Sequence, residues 1–181
     1  MIKRVKELGS KAMINSPEFR DYVEKQETEI NRGVSSLCIL SILMQAEEDE
    51  LHGYKILKDL TEKTNEMLVI EEGTLYPILR KLEQDKIIDS RKEETGRKKK
   101  YYRMTDYGKK VFNHLAGFYS KLTEAIAPLF DVKVDLKQEK YLFCPMCANK
   151  IDLSNISDLR YCTICGYNLE KDLKDRGLRN E

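Results

Sequence analysis

The sequence predicts a mainly α fold with small β elements, followed by a small cysteine-rich module. Three observations lead to this fold class. Apolar residues recur at helical spacing through most of residues 17–130. Two strand-like segments flank a polar stretch that contains Gly96. Four of the five cysteines lie between Cys144 and Cys165.

The composition excludes several classes of protein. The 181 residues are 41% hydrophobic and 35% charged, which excludes a fully disordered chain. The 32 basic and 31 acidic side chains give a formal net charge of +1, so any basic surface must be local. No run approaches the ~18 apolar residues of a membrane span, and the N-terminus is too charged for a signal peptide. We therefore expect a cytoplasmic protein with no membrane partner.

Residues 1–33 are expected to form an N-terminal helical extension. Ser16, Pro17 and Glu18 form a good helix start, with a capping hydroxyl, a proline at the first position and an acid next. A thin apolar face follows, and Gly33 marks the expected helix end. That face consists of Phe19, Tyr22, Val23 and Ile30.

Three helices are expected after this extension. Residues 34–46 are almost continuously apolar, which favours a buried helix. Gly53 opens a second helix. The pair Gly73-Thr74 opens a third, in which Pro77 is tolerable because it lies near the first turn.

A basic β-hairpin is expected next, with strands over Ile87 to Lys92 and Lys100 to Met104. From Leu75 to Met104 there are 10 basic and 5 acidic residues. Three short helices followed by a basic hairpin is the order of a winged helix-turn-helix, in which the third helix enters the major groove. We assign residues 34–104 to such a DNA-binding domain.

The third helix has one apolar face, which contains Leu75 and Leu79, and one polar face. The polar side chains offer groups for phosphates and base edges, and cations at the hairpin tip can reach the DNA backbone. The pattern alone leaves a solvated basic face or a protein-binding winged helix open. The predicted DNA-binding residues are Thr74, Tyr76, Arg80, Lys81, Gln84, Arg97, Lys98 and Lys99.

A long helix is expected over residues 105–130, capped by Thr105. Apolar residues repeat there at spacings of 4, 3, 4 and 3, the seam pattern of a coiled coil. We expect this helix to pack on its own domain and on a second chain, as a dimerisation helix. The predicted interface residues are Val111, Leu115, Phe118 and Leu122. Residues 131–140 are interpreted as a linker.

Three segments resemble the PadR-type transcriptional regulators: LHGYKILKDL (51–60), EEGTLYPILRKLEQDKII (71–88) and GRKKKYYRMTDYGKK (96–110). The resemblance covers roughly residues 33–130. It implies a dimeric DNA-binding regulator, usually a repressor, with a C-terminal dimerisation helix. It also implies DNA contacts by Tyr76 and by the wing residues Arg97, Lys98 and Lys99. The N-terminal extension and the cysteine module depart from this pattern, so no effector is implied.

The cysteines form two CxxC pairs separated by 14 residues. Two residues between thiolates let a tight turn aim both sulfurs at one ion, and four thiolates complete the tetrahedron of a structural zinc site. Residues 141–181 thus resemble a zinc ribbon with one zinc per chain, although iron and a redox role stay open. We expect the ribbon to bind a protein or support the dimer. The predicted ligands are Cys144, Cys147, Cys162 and Cys165.

The sequence contains two histidines, and no catalytic triad can be assembled around either of them. It also shows no phosphate-binding loop and no metal site with an open position. We therefore expect no enzyme. The predicted function is sequence-specific regulation of transcription, with repression expected, by a homodimer on double-stranded DNA. Two alternatives are a protein-interaction adaptor, and a metal or thiol sensor with the ribbon as its input.

Overall fold

A computed structural model describes residues 16–46, 49–93, 99–134, 140–154 and 159–178. The chain forms two compact units, residues 1–109 and 110–181. The division falls within the long helix rather than after it. Within the described ranges, every helix is too short or too polar to cross a membrane.

Helix α1 runs without a break over Pro17–Gln45. Its start is as predicted, because the Ser16 hydroxyl accepts a hydrogen bond from the Phe19 N–H at 3.4 Å. The predicted end near Gly33 is wrong. A glycine inside a helix costs only about 1 kcal/mol relative to alanine, and burial of the following apolar turns outweighs that cost. The buried residues of α1 all lie after Gly33: Ser35, Ile39, Leu40, Ile42 and Leu43.

Helix α2 (Gly53–Lys63) packs against both α1 and α3 (Glu72–Gln84) within the first unit. Both begin within one residue of the predicted glycine. Each buries one stripe, with Ile56 and Leu60 on α2 and Leu75 and Leu79 on α3. These side chains form the core that holds α3 in place.

A three-stranded antiparallel sheet completes the first unit, in the order β1-β3-β2. The predicted hairpin is confirmed as β2 (Ile88–Lys92) and β3 (Lys100–Met104), with Lys92 opposite Lys100. Strand β1 (Leu51–His52) was not predicted, since two residues are too few to show alternation. The predicted hairpin-tip contacts Arg97 and Lys98 lie outside the described residues.

Helix α4 covers Asp106–Ile126, and a 3-10 turn continues it over Ala127–Phe130. The predicted cap is present, because the Thr105 hydroxyl accepts a hydrogen bond from the Gly108 N–H at 2.9 Å. Of the predicted linker, residues 135–139 lie outside the described part of the chain.

In its described residues, the C-terminal module, called the ribbon below, contains two strands and one short helix. Strands β4 (Tyr141–Phe143) and β5 (Lys150–Asp152) pair antiparallel, and α5 covers Glu170–Asp175. The strand β5, which pairs with β4, follows the first cysteine pair. Before the second pair, Tyr161 forms an isolated bridge with Asn168. The buried cluster of the ribbon consists of Leu142, Cys144, Ile151, Cys162, Leu169 and Leu173.

Candidate functional site

The outer face of α3 carries the polar side chains that the sequence assigned to it. Leu75 and Leu79 are fully buried, which fixes the rotation of the helix in the first unit. The five predicted DNA-binding residues of α3, two opposite the apolar face and three flanking it, all have exposed side chains: Arg80 and Gln84, then Thr74, Tyr76 and Lys81. They offer hydroxyl, amide and cationic groups from one helical surface.

Tyr76 also has a structural neighbour that the sequence analysis missed. A Cβ atom built on Gly53 would lie 2.8 Å from the Tyr76 hydroxyl and 3.1 Å from the ring carbon Cε1. The Tyr76 ring can therefore pack beside the start of α2 only because Gly53 has no side chain. The Tyr76 side chain is still 41% exposed. The preceding His52 caps α2, because its Nδ1 accepts a hydrogen bond from the Lys55 N–H at 3.2 Å.

A cleft of about 510 Å³ lies where the start of α2, α3 and the hairpin meet. Among the residues that the structure describes, the lining contains two lysines, three tyrosines and no carboxylate. The first residue of α2 lies in its wall. Helix N-termini carry free N–H groups and a partial positive charge, both of which favour phosphate. The lining residues are His52, Gly53, Tyr54, Tyr76, Lys99, Lys100 and Tyr102.

Two ion pairs fix the hairpin to the rest of the first unit. Lys100 Nζ lies 2.7 Å from Glu83 on α3, and Arg91 lies 2.7 Å from Glu50. The hydrogen bonds from Lys100 and then from Ser90 lower the pKa of the Glu83 carboxyl below its ordinary value. These contacts hold two of the hairpin cations in place, while Lys99 beside them is exposed.

Helix α4 presents an apolar stripe on its exposed side. Of the predicted interface residues, Leu115, Phe118 and Leu122 are 40%, 54% and 42% exposed, and Val111 is half-buried. Exposed Tyr119 and Ile126 extend the stripe along the helix. Contiguous apolar surface of this kind is typical of an interaction site.

The four predicted metal ligands come together at one point in the ribbon. Their Sγ atoms all lie within 4.8 Å of one another. The Sγ atoms of Cys144 and Cys165 are 3.5 Å apart, and those of Cys147 and Cys162 are 3.6 Å apart. Tetrahedral zinc with Zn–S bonds of about 2.3 Å places its sulfurs about 3.8 Å apart. The four-sulfur donor set therefore fits such an ion.

The two cysteine turns share one backbone pattern. In the first, the Ala148 N–H donates to the Cys144 carbonyl at 2.8 Å. In the second, the Gly166 N–H donates to the Cys162 carbonyl at 2.9 Å. The residue after each second cysteine is left-handed, with φ +58° at Ala148 and +73° at Gly166. Each CxxC pair is thus curled so that both of its sulfurs point to the same place.

The thiols differ in acidity. Burial raises the pKa of Cys147 to about 12. Burial acts on Cys162 in the same direction, but backbone N–H groups of Cys165 and Ile164 donate to its sulfur and bring its pKa down to about 7. Donation of this kind favours a thiolate, the form of cysteine that binds metals.

The first cysteine turn lies directly against α4. A Cβ atom built on Gly117 would lie 1.8 Å from the Ala148 carbonyl oxygen and 2.8 Å from the Lys150 nitrogen. Nearby, Lys121 Nζ lies 5.8 Å from the centre of the Phe143 ring. The sequence analysis missed this contact, although a glycine inside a helix with an apolar repeat was a usable signal.

A winged helix-turn-helix is the class of protein that this first unit defines. Residues 39–114 match the model of the transcriptional regulator PadR-like family. A curated, uncharacterized protein of Lysinibacillus sphaericus is 31% identical over 101 residues, which are 55% of this chain and 90% of that protein.

Two solved structures are similar to more than half of this chain. A transcriptional regulator from Clostridium thermocellum has 33% identity and a TM-score of 0.50, over 54% of this chain and 94% of that one. A PadR family transcriptional regulator from Eggerthella lenta has 28% identity and a TM-score of 0.54, over 64% of this chain and 94% of that one. The chain therefore belongs to the PadR-like family and is a DNA-binding transcriptional regulator rather than an enzyme.

Proposed function

We propose that the protein acts as a homodimer that represses transcription by binding a specific double-stranded operator. The observation that carries this proposal is the polar face of α3 beside the cleft with its two lysines and beside the basic hairpin. Arg80 and Gln84 are suited to base edges in the major groove, where arginine pairs with guanine and glutamine with adenine. A dimer bound over a promoter would exclude the polymerase, which makes repression the simplest outcome.

Phosphate contacts are assigned to the cleft and to the hairpin. A backbone phosphate fits the start of α2, where the helix dipole is positive and Lys99 is close. The hairpin tip is assigned to the neighbouring phosphates through Arg97, Lys98 and Lys99. Such contacts set affinity and register, whereas contacts from α3 set sequence preference.

The apolar stripe of α4 is assigned to a second copy of the chain. Three of its four predicted interface residues are exposed large hydrophobic side chains. A two-fold dimer would read two half-sites in successive major grooves, about 34 Å apart. The four cysteines are assigned to one structural zinc per chain, which would hold a ribbon whose buried cluster is small.

The DNA assignment is tested by comparing specific and random duplexes over a range of salt. Lys99→Ala should weaken binding to both duplexes about equally and lower the salt slope by about 1, because it removes one phosphate contact. Arg80→Ala should weaken binding to the selected site by about 1–3 kcal/mol more than to random DNA. Arg32→Ala removes an exposed cation on α1, distant in sequence from both α3 and the hairpin, and serves as the control.

The proposal fails if both hairpin and α3 variants bind selected DNA with the affinity and salt slope of the wild type. An adaptor would give that result, since its winged helix would contact protein instead. A matched loss in all three variants would indicate a diffuse charge effect rather than a defined interface.

A further inference from the structure

The ribbon and the apolar stripe lie on different sides of α4. At about 100° per residue, Leu115, Phe118 and Leu122 lie roughly 100–160° around the helix from Gly117. The first cysteine turn covers the Gly117 side, and the stripe is exposed. The ribbon therefore packs on α4 without occupying the surface assigned to a second copy.

The contact on α4 is made by the first cysteine turn (residues 144–148), which is called the metal turn below. Ala148 directly follows the ligand Cys147, and the Ala148 N–H donates to the Cys144 carbonyl. The Ala148 carbonyl oxygen is the atom closest to a Cβ built on Gly117. The position of this oxygen depends on a left-handed Ala148, with φ +58°, a conformation that a free alanine rarely adopts. The surface that α4 contacts is therefore ordered only while the turn is ordered.

Helix α4 has little stability of its own. It carries a glycine at its centre, which costs about 1 kcal/mol relative to alanine. Its stripe is exposed to solvent, and most of the stability of protein helices comes from tertiary packing. Within the second unit and its described residues, the packing at Gly117 comes from the ribbon. Release of the ribbon would let this half of the helix fray.

We propose that the metal in the ribbon controls dimerisation, because the metal turn braces α4 at Gly117 while the opposite side of the helix binds the second copy. The loaded ribbon keeps α4 helical and the stripe continuous. Metal loss unfolds the turn, removes the brace and weakens the dimer, and with it the occupancy of paired half-sites. This inference rests on the proposed function, since it requires a dimer formed through α4 and a metal at the four cysteines.

The test measures the dimer dissociation constant of the full-length protein by analytical ultracentrifugation, with zinc and after chelation. Chelation should weaken the wild-type dimer by about tenfold or more, and added zinc should restore it. Gly117→Ala should keep one zinc per chain yet dimerise as weakly as the chelated wild type, because its methyl group displaces the Ala148 carbonyl. Hydrogen exchange across residues 110–126 should rise in both cases.

Two further variants complete the design. Gly33→Ala makes the same substitution in α1, where no atom lies within 4 Å of the new Cβ, and should keep the full response to zinc. Lys121→Ala removes the contact with Phe143 without adding an atom at Gly117, and it should weaken the zinc-loaded dimer by a smaller factor. This variant keeps the inference testable if Gly117→Ala does not fold.

The inference is overturned if the wild-type dimer is equally tight with and without zinc, or if Gly117→Ala dimerises like the wild type. A dimer that ignores zinc leaves the proposed DNA-binding function intact. If the wild type is monomeric at all concentrations in the presence of zinc, the dimer of the proposed function is wrong. If the wild type binds no zinc, its metal site is wrong. Either result also removes the inference.

Discussion

The winged helix and the second unit are stabilised in different ways. The first unit buries large apolar side chains from three helices and a sheet, among them Ile39, Leu60, Leu75 and Ile88. The ribbon buries a cluster of six, two of which are cysteines. Helix α4 leaves Phe118 and Leu122 exposed. The first unit therefore buries an apolar core of its own, whereas the second combines a small buried cluster, four closely spaced thiols and an exposed apolar stripe.

The largest expected effect is the loss of the ribbon in Cys162→Ser. Structural zinc sites contribute about 10–16 kcal/mol of apparent binding free energy, so removal of one ligand should abolish stoichiometric zinc and unfold residues 141–178. Elemental analysis and limited proteolysis measure both effects, with Cys38→Ala as the control outside the cluster. One zinc per chain in the Cys162 variant would contradict the ligand assignment, and a zinc-free wild-type ribbon that resists protease would contradict the energetic argument.

The next largest effect is the loss of dimerisation through the apolar stripe of α4. Phe118→Glu together with Leu122→Glu should give monomers, because two pairs of like charges would face each other in a desolvated interface. Light scattering measures the mass in solution. Glu124→Ala changes an exposed residue of the same helix and should leave the dimer unchanged. A double variant with the mass of a dimer would exclude the stripe as the interface.

A core truncation in the first unit should have a smaller effect that does not depend on metal. Leu75 is fully buried, so Leu75→Ala should lower the free energy of unfolding by about 2–5 kcal/mol. Urea denaturation with and without chelator should give the same difference, because the cysteine cluster belongs to the second unit. Val69→Ala, at an exposed position, is the control. A difference that disappears with zinc removal would show that the two units share their stability.

The smallest effect is a pH dependence of the free energy of unfolding that comes from the Glu83–Lys100 ion pair of the hairpin. The pKa of Glu83 is lowered from its ordinary value of 4.5, so its contribution is complete above that value and is lost as the pH falls through the lower, folded-state pKa. The pair with Lys100 is about one-third exposed, and solvent screening keeps its contribution below about 1 kcal/mol. Urea denaturation at pH 7 and pH 3 should therefore show a smaller pH-dependent loss in Glu83→Gln than in the wild type. Glu24→Gln should lose as much stability as the wild type, and equal losses in all three proteins would contradict the prediction.

Much of the first unit was predictable because its signals are local. Ser16 and Thr105 cap helices as predicted. The strand-like segments around Ile88 and Tyr102, on either side of a polar stretch, form the predicted hairpin strands. The continuity of α1 through Gly33 was not predictable, because it depends on packing of distant residues that outweighs a local stop signal. The exposed face of α3 followed from periodicity, but the contact between Gly53 and Tyr76 joins two helices and leaves no periodic trace.

The candidate metal site shows the same division. Cysteine spacing was enough to predict that four sulfurs meet, because short turns fix their geometry. It could not show that β5 would pair with β4, or that Ala148 would take the left-handed position that Gly166 takes in the second turn. Nor could it show that Gly117 faces the metal turn, which depends on how a helix and a ribbon pack.

The contact between Tyr76 and Gly53 has a consequence for how α3 meets a ligand. A free tyrosine on a helix surface samples several rotamers, and freezing one of them on binding costs about 0.5–1.5 kcal/mol. Here the ring lies against the start of α2, so we expect folding to remove part of that freedom before any partner binds. A substitution at Gly53 that freed the ring would be expected to weaken binding through entropy alone, even with every polar group of α3 in place.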